Sequence, residues 1–257
     1  MKRVLTVAVF TFRELIRSNI LIVWVCSVIG ICGLSYLLSI LSYGDALKIF
    51  TDLGLAGAEL AGWMVLLLSL AVSYNTEMDQ KAIFLQLAKP VSRGEYLLGR
   101  VFGFFTMNLL VILGTVAVLV FMVLVVNGSM PSYFWSSVFF MVLEMLVLTF
   151  LGLTYQMIAT SMVRVVLYTF FTIILGRLID EIQWLLEKQH APILKFILTL
   201  VYYCLPNLDL FNLKDRIYDP TLVLGWTQWQ EVLIYTFAYS AVVFIIGWIS
   251  LEKREFR

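Results

Sequence analysis

The chain is poor in the residues that build metal centres, disulfide frameworks and soluble surfaces. It has one histidine, His190, and three cysteines, Cys26, Cys32 and Cys204, among 257 residues. One histidine argues against a His-clustered metal centre, and an odd cysteine count without a CxxC pair argues against disulfides and zinc. Only 14% of the residues are charged, whereas an average soluble domain has about 25%. The composition therefore excludes an ordinary soluble protein.

Long apolar runs are abundant, and 61% of the residues are hydrophobic. A helix needs about 20 apolar residues to cross hydrocarbon about 30 Å thick. The runs predict an all-α, polytopic membrane protein with six transmembrane helices in a single domain, residues 1–257. The predicted spans are Ile20–Leu41, Leu55–Ser73, Leu97–Val126, Tyr133–Tyr155, Val163 to about Ile182, and Val232–Leu251.

The charged residues are placed unevenly along the chain. With six spans, 12 of the 18 Lys and Arg residues lie on the same side as both termini, counting Arg100 and Arg164 in the first turns of the third and fifth spans. Basic residues concentrate on the cytoplasmic side of membrane proteins. We therefore expect both termini in the cytoplasm of a multi-pass protein of the cell membrane, most simply a bacterial inner membrane. A seventh span would place the basic tail outside the cell.

Two segments outside the spans are predicted to be short helices at the membrane surface. Residues 1–18 are amphipathic, with Arg3, Arg13 and Arg17 on one face, which is typical of a helix along the cytoplasmic surface. Residues 180–228 form the outer-face segment. Within it, Pro192–Leu205 is apolar but too short to cross the bilayer, which predicts a re-entrant or interfacial helix.

The segment between the second and third spans, residues 76–95, is neither apolar nor disordered in composition. Charged residues flank a short apolar set, and Pro90 ends the helical pattern because proline disfavours helix at the preceding residue. This pattern predicts a short amphipathic helix that docks onto a cytoplasmic partner. The residues proposed for this docking are Glu77, Asp79, Lys81, Phe84, Leu87, Lys89, Pro90 and Arg93.

Three stretches resemble the permeases of the ABC-2 type, the membrane subunits of one class of ATP-binding-cassette (ABC) transporters. LAKPVSRGEYLLGR (Leu87–Arg100) resembles the loop after their second span, and FTFRELIRS (Phe10–Ser18) resembles their connecting helix. LPNLDLFNL (Leu205–Leu213) resembles the outer-face segment of a branch that includes the permeases of nitrous-oxide-reductase maturation and gliding motility. The sequence departs from the family at one position. Relatives often carry Glu-x-x-x-Gly before the loop helix, whereas the fourth residue after Glu77 here is Lys81.

The resemblance implies a permease that pairs with a second copy, or with a homologous permease, and docks on a separate ABC ATPase. The coupling helix would be Asp79–Ala88, with Phe84 and Leu87 as apolar anchors. ATP and Mg²⁺ are then expected on the ATPase, because this chain has no GxxxxGK[ST] phosphate loop. We expect no cofactor on this chain and no enzyme activity of its own. The lipid bilayer is an expected partner, and nucleic acid is not.

Polar residues inside the predicted spans are candidates for a substrate path. Glu144 lies near the middle of the fourth span, where a charged side chain costs about 2.5–3.5 kcal/mol on insertion scales. It is either a hydrogen-bonded packing residue or a contact on the substrate path. Glu59 lies about one turn inside the second span and is either at the mouth of the pathway or at a solvated helix end.

Three arginines near span ends, Arg100, Arg164 and Arg177, are expected to extend to the lipid headgroups. Asp180 and Glu181 are close to Arg177 in sequence and are the expected local partners of its charge.

Three other classes of function are considered. A membrane anchor that recruits an ATPase without transport fits the same residues. An ion-coupled secondary transporter predicts paired ionisable residues at the midplane and broken helices in both halves, and only Glu144 fits that pattern. An intramembrane enzyme needs a catalytic cluster such as HExxH, and the sequence contains none.

Overall fold

A computed structural model describes residues 2–41, 46–79, 92–125, 130, 134–188, 192–213 and 225–253. In these residues the regular structure is helical, with nine α-helices and a 3-10 helix at Asp209–Phe211. This confirms the all-α class. The α-helices are α1 (Lys2–Arg17), α2 (Ile20–Leu41), α3 (Ala46–Asp79), α4 (Arg93–Val125), α5 (Phe134–Ile158), α6 (Met162–Arg177), α7 (Ile179–Lys188), α8 (Pro192–Cys204) and α9 (Trp226–Lys253).

Five of the described helices, α2, α3, α4, α5 and α9, are long and apolar enough to cross a membrane. Helices α6 and α7 together make a sixth candidate, although the chain bends by 61° between them. The chain is therefore a multi-pass helical membrane protein, as its composition predicts.

Helices α3 and α4 are longer than the predicted spans. The predicted second span, Leu55–Ser73, lies within α3, which begins nine residues earlier at Ala46. Helix α3 has 34 residues and α4 has 33. At 1.5 Å per residue each is about 50 Å long, against hydrocarbon about 30 Å thick. A window of apolar residues identifies only the part of a helix that lies in lipid, so it misses the turns beyond.

The predicted fifth span, Val163 to about Ile182, is wrong as a continuous helix. Helix α6 ends at Arg177 and α7 begins at Ile179. The chain turns at Leu178, whose N–H bonds the carbonyl of Leu175 at 3.1 Å. Helix α7 packs on α8, and none of the described α8 side chains is buried. The short helix predicted over Pro192–Leu205 is confirmed as α8, and its place at the membrane interface stays a prediction.

The bundle has two distinct ends. Helices α3 and α4 run antiparallel, because Gly54 faces Leu119 and Ser73 faces Arg100. The start of α4 contacts α1 and the last turn of α9. We call the end of the bundle that holds these contacts the N-terminal side, and the other end the opposite side. Helix α5 is central, since 78% of its span residues are buried against 22% in α2.

Candidate functional site

Helix α1 packs along the start of α4 through two glycines. A Cβ on Gly99 would lie 2.6 Å from the Cβ of Val7 and 2.9 Å from the carbonyl oxygen of Val4. A Cβ on Gly103 would lie 2.9 Å from the carbonyl oxygen of Ala8. Residues four apart share a helix face, so Gly99-x-x-x-Gly103 forms a groove that admits the α1 backbone. Helix α1 is thereby held against α4 at backbone distance.

Arg100 is buried inside the bundle, with 3% of the residue exposed. Its guanidinium donates to the Tyr96 hydroxyl at 2.9 Å and to the Ser73 hydroxyl on α3. The expectation that Arg100 extends to headgroups is wrong, because Glu14 on α1 attracts its charge inward. Burial raises the pKa of Glu14, and Arg100 and a hydrogen bond with Thr76 partly offset that rise. This network joins α1, α3 and α4.

The start of α4 is also fixed to the end of α9. Ser92 and Glu95 form a capping box, in which Glu95 Oε2 accepts from the Ser92 N–H at 3.0 Å and Ser92 Oγ accepts from the Glu95 N–H at 3.2 Å. Arg93 Nη1 donates to the carbonyls of Leu251 at 2.8 Å and Glu252 at 2.6 Å. Carbonyls in a last helical turn lack intrahelical partners and carry partial negative charge. A cation is therefore favourable there.

The structure describes three of the predicted ATPase-coupling residues. Glu77 and Asp79 are in the last turn of α3, and Arg93 is in the first turn of α4. The predicted loop 76–95 is therefore partly helical at both ends. We call α3, α4 and the residues that join them the coupling hairpin. The other predicted coupling residues lie outside the described residues: Lys81, Phe84, Leu87, Lys89 and Pro90.

A second cluster of charges lies deep in the bundle, where Arg177 at the end of α6 contacts two carboxylates. Its Nη2 donates to Glu144 Oε2 on α5 at 2.8 Å and forms an ion pair with Glu59 Oε1 on α3. The exposed fractions of the side chains are 17% for Arg177, 6% for Glu59 and 1% for Glu144. We call these three residues the ion cluster. It connects three helices of the core.

An aromatic residue completes the surroundings of the ion cluster. Trp63 lies one turn along α3 from Glu59, and its Nε1 donates to Glu144 Oε1 at 3.3 Å. The Arg177 guanidinium lies 5.5 Å from the centre of the Trp63 ring, within range of a cation–π interaction. Both oxygens of Glu144 therefore have donors, and the guanidinium has an aromatic face as well as two anions.

Two expectations about these residues are wrong. Glu59 is buried and paired, and it does not lie at a solvated helix end, because α3 begins 13 residues earlier at Ala46. Arg177 turns into the bundle and does not extend to the headgroups, and its ion pairs are with Glu59 and Glu144. The two carboxylates on α3 and α5 make the inward position favourable. Glu144 is a hydrogen-bonded residue, and whether it also contacts a substrate stays a hypothesis.

The segment after α8 covers the end of α6. The N–H of Leu208 bonds the carbonyl of Gly176 at 3.0 Å. A Cβ on Gly176 would lie 2.8 Å from the carbonyl oxygen of Pro206, so only glycine admits this approach. The Asn207 N–H donates to the Tyr235 hydroxyl on α9 at 2.7 Å. Part of the segment that resembles the ABC-2 outer-face region thus sits directly beside Arg177.

Asp209 in this segment was not identified from the sequence as a site residue. Its side chain hydrogen-bonds that of Asp180, and Arg177 is near enough to stabilise its charge. Burial and the Asp180 carboxyl raise the pKa of Asp209, and Asn212 and Arg177 partly offset the rise. The carboxyl groups of Asp180 and Asp209 approach each other only if a proton lies between them or a cation is close.

The ion cluster can act as a mechanical link whose strength depends on helix positions. The two carboxyl groups share one guanidinium in a poorly hydrated place, so separating Arg177 from them removes a charge partner where water cannot replace it. Helices α3, α5 and α6 therefore move together or exchange partners when they move.

Comparison with known proteins adds no family to these observations. No protein-family model matches the chain, and no curated protein sequence matches it. The resemblance of three short stretches to ABC-2 permeases stays a prediction, and the functional argument depends on the residues and their contacts.

Proposed function

We propose that the chain is the membrane-spanning permease subunit of an ABC transporter, which exports a substrate across the cell membrane by alternating access. A separate ATPase would supply the energy and bind ATP and Mg²⁺. The observation that carries the proposal is the bracing of the coupling hairpin at its base. Helix α1 packs on Gly99 and Gly103, and Arg93 donates hydrogen bonds to the last turn of α9. Arg100 donates to Ser73 on α3 and is attracted by the charge of Glu14 on α1. A lever needs such a base, because a push at its tip must move the bundle and not only bend the hairpin.

The geometry supports a path for that push into the core. ATP-driven closure of two ATPase subunits would displace the residues around 79–88 on each of two paired permeases. Helix α3 carries the displacement from Ser73 to Glu59, which are 14 residues or about 21 Å apart along a helix. A shift of α3 against α5 and α6 acts on the ion pair between Glu59 and Arg177. Rearrangement of that pair is the step that would let the opposite side open.

The proposal assigns the N-terminal side to the cytoplasm, as the distribution of Lys and Arg favours. The permease partner is a second copy or a homologous chain, and the lipid bilayer surrounds both. The host membrane would be a bacterial inner membrane.

The test uses a charge on the predicted anchor face. Phe84→Asp should prevent an ABC ATPase from co-purifying with the full chain from its native membranes, because buried aromatic anchors carry most of an interface's energy. Gln86→Asp is the matched control. It adds the same carboxylate two residues on, about 160° away around a helix.

The expected result is loss of Mg-ATP hydrolysis in the Phe84→Asp preparation and its retention in the Gln86→Asp preparation, with equal membrane insertion of both. Equal hydrolysis in both preparations, or absence of a phosphate-loop ATPase from the wild-type preparation, would reject the proposal.

A specific observation favours an ion-coupled secondary transporter as a second candidate. The ion cluster supplies the buried, paired charges that such transporters use, and the bend between α6 and α7 supplies one broken helix. This candidate predicts substrate movement in sealed vesicles driven by a proton or sodium gradient without ATP. Transport that needs ATP on the N-terminal side and ignores both gradients would exclude it.

A further inference from the structure

A large apolar pocket lies at the opposite side of the bundle, away from both charged sites. Its volume is about 620 Å³. It lies between the last turns of α2, the first turns of α3 and the last turns of α4. The lining residues are Tyr36, Ser39, Ile40, Leu47, Phe50, Phe121, Met122, Val123 and Val125.

Among the residues that the structure describes, the lining offers almost nothing to a polar ligand. The Ser39 hydroxyl already donates to the carbonyl oxygen of Tyr36 at 2.8 Å, so it is not available as a donor to an occupant. The remaining lining side chains are hydrocarbon, apart from the sulfur of Met122 and the hydroxyl of Tyr36. Water in such a space would lack hydrogen-bond partners. The chemistry therefore selects a hydrocarbon occupant.

The pocket opens towards the lipid. Its floor is enclosed, with exposures of 1% at Val123 and 7% at Phe50. Its rim is lipid-facing, with exposures of 63% at Ile40 and 67% at Phe121. These residues belong to the candidate membrane spans α2, α3 and α4, so the medium at the rim is lipid hydrocarbon. An occupant can enter from the membrane without crossing water.

The volume suits one lipid chain. A dry cavity of about 150 Å³ lined by aliphatic side chains holds one benzene ring. At the same density this pocket holds roughly two dozen carbon atoms, which is the scale of one acyl chain. We propose that the pocket between α2, α3 and α4 is a binding site for a single acyl chain of a membrane lipid, with the headgroup outside it.

The test locates the lipid chain by photolabelling and counts the lipid molecules that stay bound. The full chain is reconstituted in phosphatidylcholine and phosphatidylglycerol vesicles that carry a photoactivatable group in one acyl chain. After irradiation and digestion, mass spectrometry should locate the label mainly on the pocket residues. Equally exposed lipid-facing residues on other helices, Val163 at 62% and Phe237 at 63%, should receive far less. Native mass spectrometry of the detergent-washed protein should show one retained lipid.

Two matched variants test whether the retained lipid is bound in this pocket. Ile40→Trp places an indole at the pocket rim and should lower the retained lipid by about ten-fold, as losing roughly two buried methylene contacts would do. Leu34→Trp adds the same side chain at a lipid-facing position of α2 outside the pocket, with 62% exposure, and should retain the lipid. Even labelling over all lipid-facing residues, or equal retention in both variants, would overturn the proposal. Cross-links joining the pockets of two copies would also overturn it, because the occupant would then be protein.

Discussion

Removal of the Arg177 charge should destabilise the protein strongly, because two buried carboxylates then lose their common cation. Breaking a buried ion pair by removing one partner costs about 3–5 kcal/mol. For a chain of this size, about 2–4 °C of Tm accompanies each kcal/mol. We therefore expect Arg177→Gln to lower the Tm of the detergent-solubilised protein by about 6–20 °C. Size-exclusion chromatography after graded heating measures this value.

The matched control is Arg164→Gln. Arg164 is an exposed arginine at the start of the same helix, and its Nε donates to Ser161 Oγ at 3.3 Å. Its loss should change the Tm by only a few degrees, since exposed pairs contribute about 0–1 kcal/mol.

A rescue separates loss of charge balance from loss of packing. Changing Glu59, Glu144 and Arg177 together to Gln removes all three charges, and neutral replacement of a whole buried ion pair is often harmless. The triple variant should regain most of the Tm that Arg177→Gln loses. The reasoning fails if Arg177→Gln behaves like Arg164→Gln, or if the triple variant is as unstable as the single one.

Two further predictions concern the hairpin base and the segment over α6. Gly99→Ala should cost about 1–3 kcal/mol by overpacking, because its Cβ would meet the Val4 carbonyl oxygen at 2.9 Å. Gly94→Ala is the control and should not lower the Tm, because its Cβ would have no atom of the described residues within 4 Å. Equal Tm values for the two variants would contradict the close packing of α1 on α4. The pKa of Asp209 is raised above its usual 3.8. Below pH 3.8 Asp209 is protonated in both the folded and the unfolded state, so it does not affect stability. As pH rises from 3.8 to the raised pKa, the unfolded state loses this proton first, so the free energy of unfolding falls. The Tm of wild type minus that of Asp209→Asn should therefore fall from about pH 4 towards neutrality. A difference independent of pH would refute the raised pKa and the contact with Asp180 that contributes to it.

The spans were predictable where lipid alone sets their length. Helix α2 has the predicted bounds Ile20–Leu41, since its whole length is apolar and it ends near polar residues. The start of α3 was not predictable, because Lys48 and Asp52 interrupt the apolar window while the helix continues through them. The bend after Arg177 lies beside the contact of Gly176 with Leu208, a contact between distant parts of the chain that no local sequence pattern indicates.

The sequence identifies the buried carboxylates as unusual, but it does not show which residue pairs with them. Glu59 and Glu144 attract notice because a carboxylate inside a span is costly. Their partner Arg177 depends on the relative heights of three helices, which apolar patterns do not specify. Two local motifs were present in the sequence and overlooked, the capping box from Ser92 to Glu95 and the small-residue pair Gly99 and Gly103. Both mark the base of the hairpin.

The ion cluster also constrains the order in which the chain is made and inserted. Glu59 emerges from the ribosome 118 residues before Arg177 (177 − 59 = 118). At about 5–20 residues per second, translation separates them by roughly 6–24 s. During that interval the acid must enter the bilayer protonated, or wait at the translocon until the later helix arrives. The nascent protein is therefore vulnerable to membrane quality control between synthesis of its second span and completion of its fifth.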